Sequence, residues 1–290
     1  MGAREVRTFS AASLLVALAA WIPTVRAETS STPTPWEISA GGQVGIPSGW
    51  VKVGENAVPG TRLRFRKDLG IDTSEAVQVG VGYHLDSASA LRLSVQSLFL
   101  DGSTTLHRDV FFNGTTLANG TRLQTRTDFP DFFRIGISYE RYLTSLGDGG
   151  NLYWSAGLSY VLLTFRVHGT LAASSKGSET KEDFLTQELP VPIAGIRGDY
   201  PLIDRLSGVF SFGGGYLPRI DSLRAEGGDV KVNQAHADVG LGLAYDLSPG
   251  IRAEAGYQYT YFFQLEKSRE DDNVILLSDN AFRASLSYRF

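Results

Sequence analysis

The chain ends on AFRASLSYRF, residues 281–290, in which apolar and polar side chains alternate without a break. Phe282, Ala284, Leu286, Tyr288 and Phe290 share one parity, and arginine and serine residues fill the other. Such alternation is typical of a β-strand with two different faces, because successive side chains of a strand point in opposite directions. Soluble domains tend to fray at their termini, so this pattern indicates a strand that is held up to its last residue.

The same period of two recurs along the rest of the chain, in segments bounded by Gly, Pro, Asp and Ser. No other stretch beyond the first 35 residues fits a helical pattern as well. The sequence therefore predicts an all-β protein with antiparallel strands. The further segments cover residues 36–46, 76–85, 90–100, 131–143, 151–165, 189–200, 207–217, 234–247 and 251–263.

The connections between these segments alternate in length, which indicates a particular kind of barrel. The short ones are residues 86–89, 144–150, 201–206 and 246–250. The long, polar ones are residues 47–74, 101–130, 166–186, 218–229 and 265–278. Outer-membrane barrels combine short periplasmic turns with long extracellular loops. We predict an up-and-down transmembrane β-barrel of about ten strands, with eight or twelve as alternatives and both termini periplasmic.

The two faces of the segments differ in polarity as lipid outside and a polar lumen inside would require. One face carries Leu, Val, Ile, Ala and aromatic side chains, while the other collects most charged residues. Opposite charges confined in a narrow lumen should pair, so we expect a network that occludes the bore. The predicted lumen residues are Glu37, Arg92, Arg134, Glu140, Arg197, Asp199, Asp238, Arg252, Glu254, Arg283 and Arg289.

Aromatic residues cluster near the ends of the segments, as they do at the two interfaces of a membrane. We expect a periplasmic ring formed by Trp36, Tyr83, Tyr142, Trp154, Tyr200, Tyr245, Tyr288 and Phe290. We expect an outer ring formed by Phe99, Phe133, Phe165, Tyr216, Tyr261 and Phe263. If the last strand closes the barrel against the first, Glu37 should lie near Arg289.

The first residues are typical of an export signal: a basic start, the short apolar run ASLLVALAAWI and a small-residue cleavage pattern. We predict a signal peptide over residues 1–27, a flexible lead-in over 28–35 and the barrel over 36–290. The chain has no cysteine, which excludes disulfides and thiolate metal sites. Its formal net charge of −4 suggests no nucleic-acid partner.

The closing stretch resembles the terminal strand of bacterial outer-membrane barrels of the small OmpA-like or OmpW-like class. In those proteins, aromatic residues at the positions of Phe282, Tyr288 and Phe290 form an assembly signal. The resemblance implies recognition by the barrel-assembly machinery and periplasmic chaperones, and contact with outer-membrane lipids and lipopolysaccharide. Residues 62–72 and 188–208 are also similar to uncharacterised barrels of this kind, which implies no activity.

Two lumen residues could carry chemistry. His236 and Asp238 lie two apart, and a His–Asp pair suits activation of a water by general base catalysis. Omptin proteases combine an Asp pair with an Asp-His pair, but the order here is reversed, and neither residues 270–273 nor 128–131 supply the aspartate pair. His236 as a buried, salt-bridged lumen histidine is the alternative. We favour a non-enzyme without a cofactor or a metal site.

A basic stripe stands out in the first long connection. Arg62, Arg64 and Arg66 alternate with apolar residues, so an extended backbone would place three guanidinium groups on one side. Arginine binds phosphate bidentately, which makes these residues candidates for binding lipopolysaccharide. The alternative is that they pair with Asp68, Asp72 and Glu75.

These observations favour a non-enzymatic outer-membrane barrel, either a narrow porin-like channel for small polar solutes or a structural barrel. One alternative is a surface interaction barrel that binds a partner through the long connections at residues 101–130 and 166–186. The other alternative is a rim hydrolase of the omptin kind.

Overall fold

The computed structural model describes residues 35–54, 58–127, 129–170, 178–183, 189–221, 231–268 and 272–290. The predicted signal peptide and nearly all of the predicted lead-in lie outside these residues. In chain order the elements are β1 (Trp36–Lys52), β2 (Leu63–Arg64), α1 (Phe65–Leu69), β3 (Ser74–His84), β4 (Ser89–Leu100), β5 (Gly102–Thr105), β6 (Val110–Phe112), β7 (Thr115–Leu117), β8 (Arg122–Arg126), β9 (Phe132–Leu146), β10 (Gly150–Thr170), β11 (Ser178–Asp183), β12 (Val191–Ile203), β13 (Leu206–Asp221), β14 (Lys231–Ser248), β15 (Ile251–Lys267) and β16 (Asp272–Arg289).

Ten of these strands close into a ring in which every neighbouring pair is antiparallel. The ring runs β1-β3-β4-β9-β10-β12-β13-β14-β15-β16 and closes where β16 pairs with β1. This confirms the predicted barrel of about ten strands. The closing register also agrees with expectation, since Glu37 lies opposite Arg289. One residue further, the backbone N–H of Phe290 donates to the carbonyl oxygen of Trp36 at 3.1 Å.

Short turns lie at one end of the barrel, here named the turn end, together with Trp36 and Phe290. These turns join β3 to β4, β9 to β10, β12 to β13 and β14 to β15. Local chemistry sets them: the Asp86 carboxylate accepts from the backbone N–H of Ala88 at 2.7 Å. Gly250 adopts φ 85°, a conformation that glycine favours. The long connections lie at the opposite end, named the loop end.

An apolar surface encircles the outside of the ring. The exposed outward side chains include Ile38, Val44, Ile46, Val79, Leu93, Ile137, Leu158, Ile196, Phe212, Leu241, Leu243 and Phe282. Exposed aromatics mark the turn end, namely Trp36, Tyr83, Tyr142, Tyr200, Tyr245 and Phe290. An apolar surface of this extent requires an apolar surrounding. Phe165 was wrongly expected in the outer aromatic ring, because its side chain is fully buried on the inner face of β10.

The two long connections before β3 and before β9 are folded rather than extended. α1 begins where the Asp68 carboxylate accepts from the backbone N–H of Arg64 at 2.8 Å, and it ends at Gly70 with φ 67°. The backbone N–H of Thr61 donates to the carbonyl oxygen of Phe111 at 2.8 Å, which links the two connections.

In the described part of the chain, no helix has the length and hydropathy needed to span a membrane.

A hydrophobic cluster lies at the loop end, and we name it the apolar plug. It joins the two folded connections to inward side chains of the ring. Connection residues in the plug include Leu63, Phe65, Leu69, Ile71, Leu106, Val110, Phe112, Leu117 and Leu123. Wall residues include Val51, Ala76, Leu98, Leu100, Phe132, Val161, Leu163, Phe165, Val167, Phe262, Ile275 and Leu277. The expectation of polar connections and a polar lumen was therefore wrong for the part of this half that the plug occupies, while buried polar side chains such as Gln43 and Asp279 remain beside it.

Candidate functional site

A polar chamber of about 730 Å³ occupies the half of the bore nearest the turn end. The alternation that turns apolar side chains outward along β1, β3, β4 and β16 turns small polar ones inward. Glycines and serines at these positions leave the space that longer charged side chains share, namely Ser39, Gly80, Gly82, Ser94, Ser285 and Ser287. The charged groups that line the chamber are Glu37, His84, Arg92, Glu140, Arg197, Asp199, Arg205, Asp246, Arg252, Glu254, Arg283 and Arg289.

Two carboxylates and two arginines form the densest part of the chamber wall. Arg92 bridges the two carboxylates, with Nη1 at 3.1 Å from Oε1 of Glu37 and Nε at 3.0 Å from Oε1 of Glu140. Arg197 donates twice to Glu140, at 3.1 and 3.2 Å. Two parallel bonds between a guanidinium and a carboxylate fix both side chains strongly. This chain of ion pairs therefore holds β1, β4, β9 and β12 together from inside the bore.

The two ends of this row of ion pairs, Glu37 and Arg197, are also held by further contacts. Nε2 of His84 lies 3.2 Å from Oε2 of Glu37, so both carboxylate oxygens of Glu37 have partners. The Arg197 guanidinium lies over the ring of Tyr153, 4.7 Å from its centroid. A cation over an aromatic face gains electrostatic attraction, which adds to the rigidity of this wall.

A second group of ion pairs surrounds Arg252. Its guanidinium lies 3.7 Å from Asp199, 3.7 Å from Asp246 and 3.5 Å from Glu254. These separations are longer than those of hydrogen-bonded pairs. Arg252 therefore balances three carboxylates as a shared charge rather than as a tight partner of one.

The charged residues in the turn-end half of the bore agree with the prediction in part. Most form the expected pairs, but they line a chamber instead of filling it. The apolar plug lies on the loop-end side of this chamber. Among the described residues, Arg205, Arg283 and Arg289 have no carboxylate partner, which corrects the expectation that Arg283 and Arg289 belong to a paired network.

The candidate catalytic residues, His236 and Asp238, lie nearer the loop end of the bore than the chamber does, beside the plug. Asp238 accepts from Arg134 Nη1 at 2.9 Å and from the Thr260 hydroxyl at 2.9 Å, so both of its oxygens are engaged. The side chain of His236 is buried, and its Nδ1 has no hydrogen-bond partner. The two residues are thus not joined as base and orienting carboxylate, and Arg134 is the ion-pair partner of Asp238.

The predicted basic stripe is divided among three different partners. The Arg62 guanidinium lies over the Trp50 ring, 4.2 Å from its centroid. Arg64 pairs with Asp68 at 3.0 Å, and Arg66 pairs with Asp72 at 3.5 Å. The backbone turns helical at residue 65, so the three side chains do not share one face of an extended strand. Pairing with the two aspartates was the alternative interpretation.

The Arg64–Asp68 pair lies outside the membrane-spanning strands and has an electrostatic consequence. Partial burial raises the pKa of Asp68, but the hydrogen bonds and charge of Arg64 lower it further, to below its ordinary value of 3.8. The same contacts raise the pKa of Arg64.

In the residues that the structure describes, no group of three or more His, Asp or Glu side chains could hold a metal ion.

The chain matches the family model described as outer membrane protein beta-barrel domain over residues 11–290, and it belongs to that family. It is therefore an outer-membrane β-barrel. A search of curated proteins finds no match.

Solved barrels show a distant likeness. The outer membrane protease OmpT from Escherichia coli is 12% identical, with 90% of this chain and 99% of that chain covered and a TM-score of 0.47. The translocator domain of the autotransporter NalP from Neisseria meningitidis is 15% identical, with 88% and 89% covered and a TM-score of 0.43. Neisserial surface protein A is 12% identical, with 89% and 99% covered and a TM-score of 0.32.

The residues that the sequence interpretation missed are those of the plug. Leu63 and Phe65 were considered only as spacers between arginines, although both are fully buried. The available signal was the run of apolar residues that continues through Leu69 and Ile71 in a connection otherwise taken as polar. A solvated loop has no need of four large apolar residues.

Proposed function

We propose that this protein is a non-enzymatic structural barrel of the outer membrane whose bore is closed at the loop end. The observation that carries the proposal is the apolar plug. Phe65, Phe112 and Phe165 come from different parts of the chain, meet inside the bore and are fully buried. Of the two functions that the sequence favoured, a structural barrel and a narrow channel for polar solutes, this feature supports the first.

The physical reason is the cost of moving a hydrated solute through an apolar layer. A polar group that loses water without gaining a hydrogen bond costs on the order of 2–7 kcal/mol, and an ion costs far more. The residues of the plug are aromatic and aliphatic, so they present no replacement for the lost hydration, whereas the buried polar side chains at this end, among them Gln234, Gln264 and Asn273, lie outside the cluster. The paired charges of the chamber are consistent with a wall that stabilises the barrel from within.

We also propose that the turn end faces the periplasm and the loop end faces outside. The support is the difference in length between the connections at the two ends, because barrels of the bacterial outer membrane have short periplasmic turns and long extracellular loops. Both ends of the described barrel, Trp36 and Phe290, would then lie on the periplasmic side.

Single-channel recording in planar bilayers tests the closed bore. The refolded wild-type protein should show no steady conductance steps above the leak of the membrane. A variant in which residues 58–72 are replaced by a short Gly/Ser linker removes four apolar residues of the plug, namely Leu63, Phe65, Leu69 and Ile71, and should conduct. Arg197→Ala enlarges the chamber without touching the plug, and it should stay as silent as wild type. Large, steady wild-type currents would reject the structural-barrel proposal in favour of a channel.

Contact with lipopolysaccharide is a second candidate function, favoured by Arg62. The Arg62 guanidinium stacks on Trp50. It has no carboxylate partner among the described residues. Its charge is therefore available to a phosphate. Arg62→Ala should weaken binding of purified lipopolysaccharide to the refolded barrel, whereas Arg64→Ala, which removes an arginine already paired with Asp68, should weaken it less. Equal losses would count against a specific role of Arg62.

A further inference from the structure

The chamber holds positive charge that its own carboxylates do not neutralise. Arg92, Arg197 and Arg252 together contact all five carboxylates that line it. Arg205, Arg283 and Arg289 line the same space, and none of them has a carboxylate partner in the described part of the chain. The lining has six arginines against five carboxylates, one more positive charge than negative charges. In a confined space with low-dielectric walls, such an excess attracts anions.

The three free arginines are not equivalent in position. Arg205 lies in the turn between β12 and β13, and Arg289 ends β16, so both stand at the mouth of the chamber. Arg283 lies six residues further up β16 on the same inward face, about 20 Å from the mouth at the rise of a strand. It is partly buried and faces Gln43 and Gly256 on the neighbouring strands, neither of which can neutralise it.

The wall between the mouth and Arg283 is lined with hydrogen-bonding groups of small size. On β16 the inward positions between the two arginines are Ser285 and Ser287, and Ser39 lies opposite Ser287 on β1. Hydroxyl groups can donate or accept hydrogen bonds, so they suit a polar solute that carries either acceptors or donors. With the opposite end closed as proposed above, the turn end is the way in.

We propose that the chamber is a binding site for a small polar solute that carries a carboxylate or a phosphate, with Arg283 as its principal contact. Arginine binds both oxyanions through two parallel hydrogen bonds. The volume of about 730 Å³ lies within the range of small-molecule sites. Arg205 and Arg289 attract the anion at the mouth, and the serines contact the remainder of the solute. The single direction of entry rests on the closed bore proposed above, whereas the binding itself does not.

Isothermal titration of the refolded barrel in detergent micelles tests this site, with succinate and inorganic phosphate as separate probes. Wild type should bind at least one probe saturably, with one site per chain, and more weakly as ionic strength rises. Preference for one probe identifies the anion class. Arg283→Gln should lower the affinity tenfold or more. Arg122→Gln is the matched control, because it removes an exposed arginine of β8 that lies outside the chamber and has no carboxylate partner among the described residues, and it should bind as wild type does.

Folding of each variant is checked by the heat-dependent gel mobility of the barrel. Arg283→Lys keeps the charge without the bidentate geometry and should show an intermediate affinity, so the inference stays testable if Arg283→Gln fails to fold. Absence of saturable binding of both probes by wild type would overturn the inference, as would equal affinity of the Arg283 variants and wild type. Channel activity of the wild type would reject the closed bore alone and would leave this binding result intact.

Discussion

Phe65 of the first long connection and Phe165 of the barrel wall lie inside the bore with their ring centroids 6.2 Å apart. Phe112 of the second connection lies 6.5 Å from the same Phe165 ring. Tilted aromatic pairs at such distances add to the stability gained from burial alone. One side chain on β10 thus joins two connections that are separate in sequence, and the plug behaves as a small core built inside the barrel.

Removing one ring of this core should loosen it. Phe65→Ala leaves a cavity at a fully buried position, and such a change costs about 3–5 kcal/mol of unfolding free energy. We expect a lower urea midpoint of the refolded barrel and brief, irregular openings in planar bilayers. The measurements are equilibrium unfolding and single-channel recording on the same preparation.

Phe129→Ala is the matched control for this change. Its side chain is 66% exposed and contacts only the Phe133 ring among the described aromatic residues, at 5.4 Å, so the same chemical deletion removes little buried packing. Unfolding and conductance of this variant should stay close to wild type. If Phe65→Ala is as stable and as silent as Phe129→Ala, the plug does not contribute to closure.

The Arg197–Glu140 pair should affect stability and not conductance. Arg197→Ala removes the bidentate partner of a buried carboxylate and leaves Arg92 to bind it alone. We expect a loss of about 1–3 kcal/mol, less than for a fully buried pair because chamber water screens the charges. Adding Glu140→Ala should recover part of this loss in a double-mutant cycle. Strict additivity of the two changes would contradict a direct interaction.

Acid should weaken the loop end through Asp68. Arg64 holds the pKa of this carboxyl below its ordinary value, so the pair stabilises the fold above pH 3.8 and loses its effect as pH falls through the lowered value. The difference in Tm between wild type and Asp68→Asn should therefore be constant at higher pH and shrink below about pH 4. A difference that grows on acidification would mean that the sign is wrong.

The barrel could be predicted from the sequence because its information is local. Each strand repeats the same alternation, and a membrane barrel reverses the usual inside and outside polarity, so parity alone assigns residues to lumen or lipid. Glu37 and Arg289 could be placed opposite each other from the two chain ends alone. Arg92, Glu140 and Arg197 could be placed in the lumen for the same reason, although their specific pairing depends on side-chain reach.

The plug could not be predicted in this way because its contacts are between distant segments. Phe65 and Phe112 lie in segments whose sequence has no alternation that relates them to a wall strand. The parity of Phe165, opposite to that of Trp154, already places it on the inner face of β10, but only the strand pairing shows that it lies at the height of the folded connections. The arginines on either side of Phe65 led to the prediction of a basic stripe, although the apolar residues between them decide where the segment lies.

The closing register between β1 and β16 can be tested by cross-linking, since the chain has no native cysteine. Ser39 and Ser287 are direct partners across this seam. Direct antiparallel partners have Cα atoms about 4.5–5.5 Å apart, within the range that a disulfide bridges. Ser39→Cys with Ser287→Cys should form a disulfide upon oxidation and migrate faster in a non-reducing denaturing gel. Ser39→Cys with Ser285→Cys, two residues out of register, should cross-link far less, and the reverse result would place the seam wrongly.

Deleting Phe290 should reduce the amount of assembled barrel. Its backbone N–H donates to Trp36 across the seam, and its ring stacks on Tyr288 at 5.6 Å, so the deletion removes the last ladder bond and part of the aromatic surface at the turn end. The resemblance of residues 281–290 to a terminal assembly signal implies the same outcome. The measurement is the heat-modifiable protein recovered in outer-membrane fractions, with total exported protein as reference. Phe290→Tyr keeps both the ladder bond and an aromatic ring and should assemble close to wild type. If the chain without Phe290 accumulates in the outer membrane at the wild-type level, this residue is neither an anchor of the seam nor part of an assembly signal.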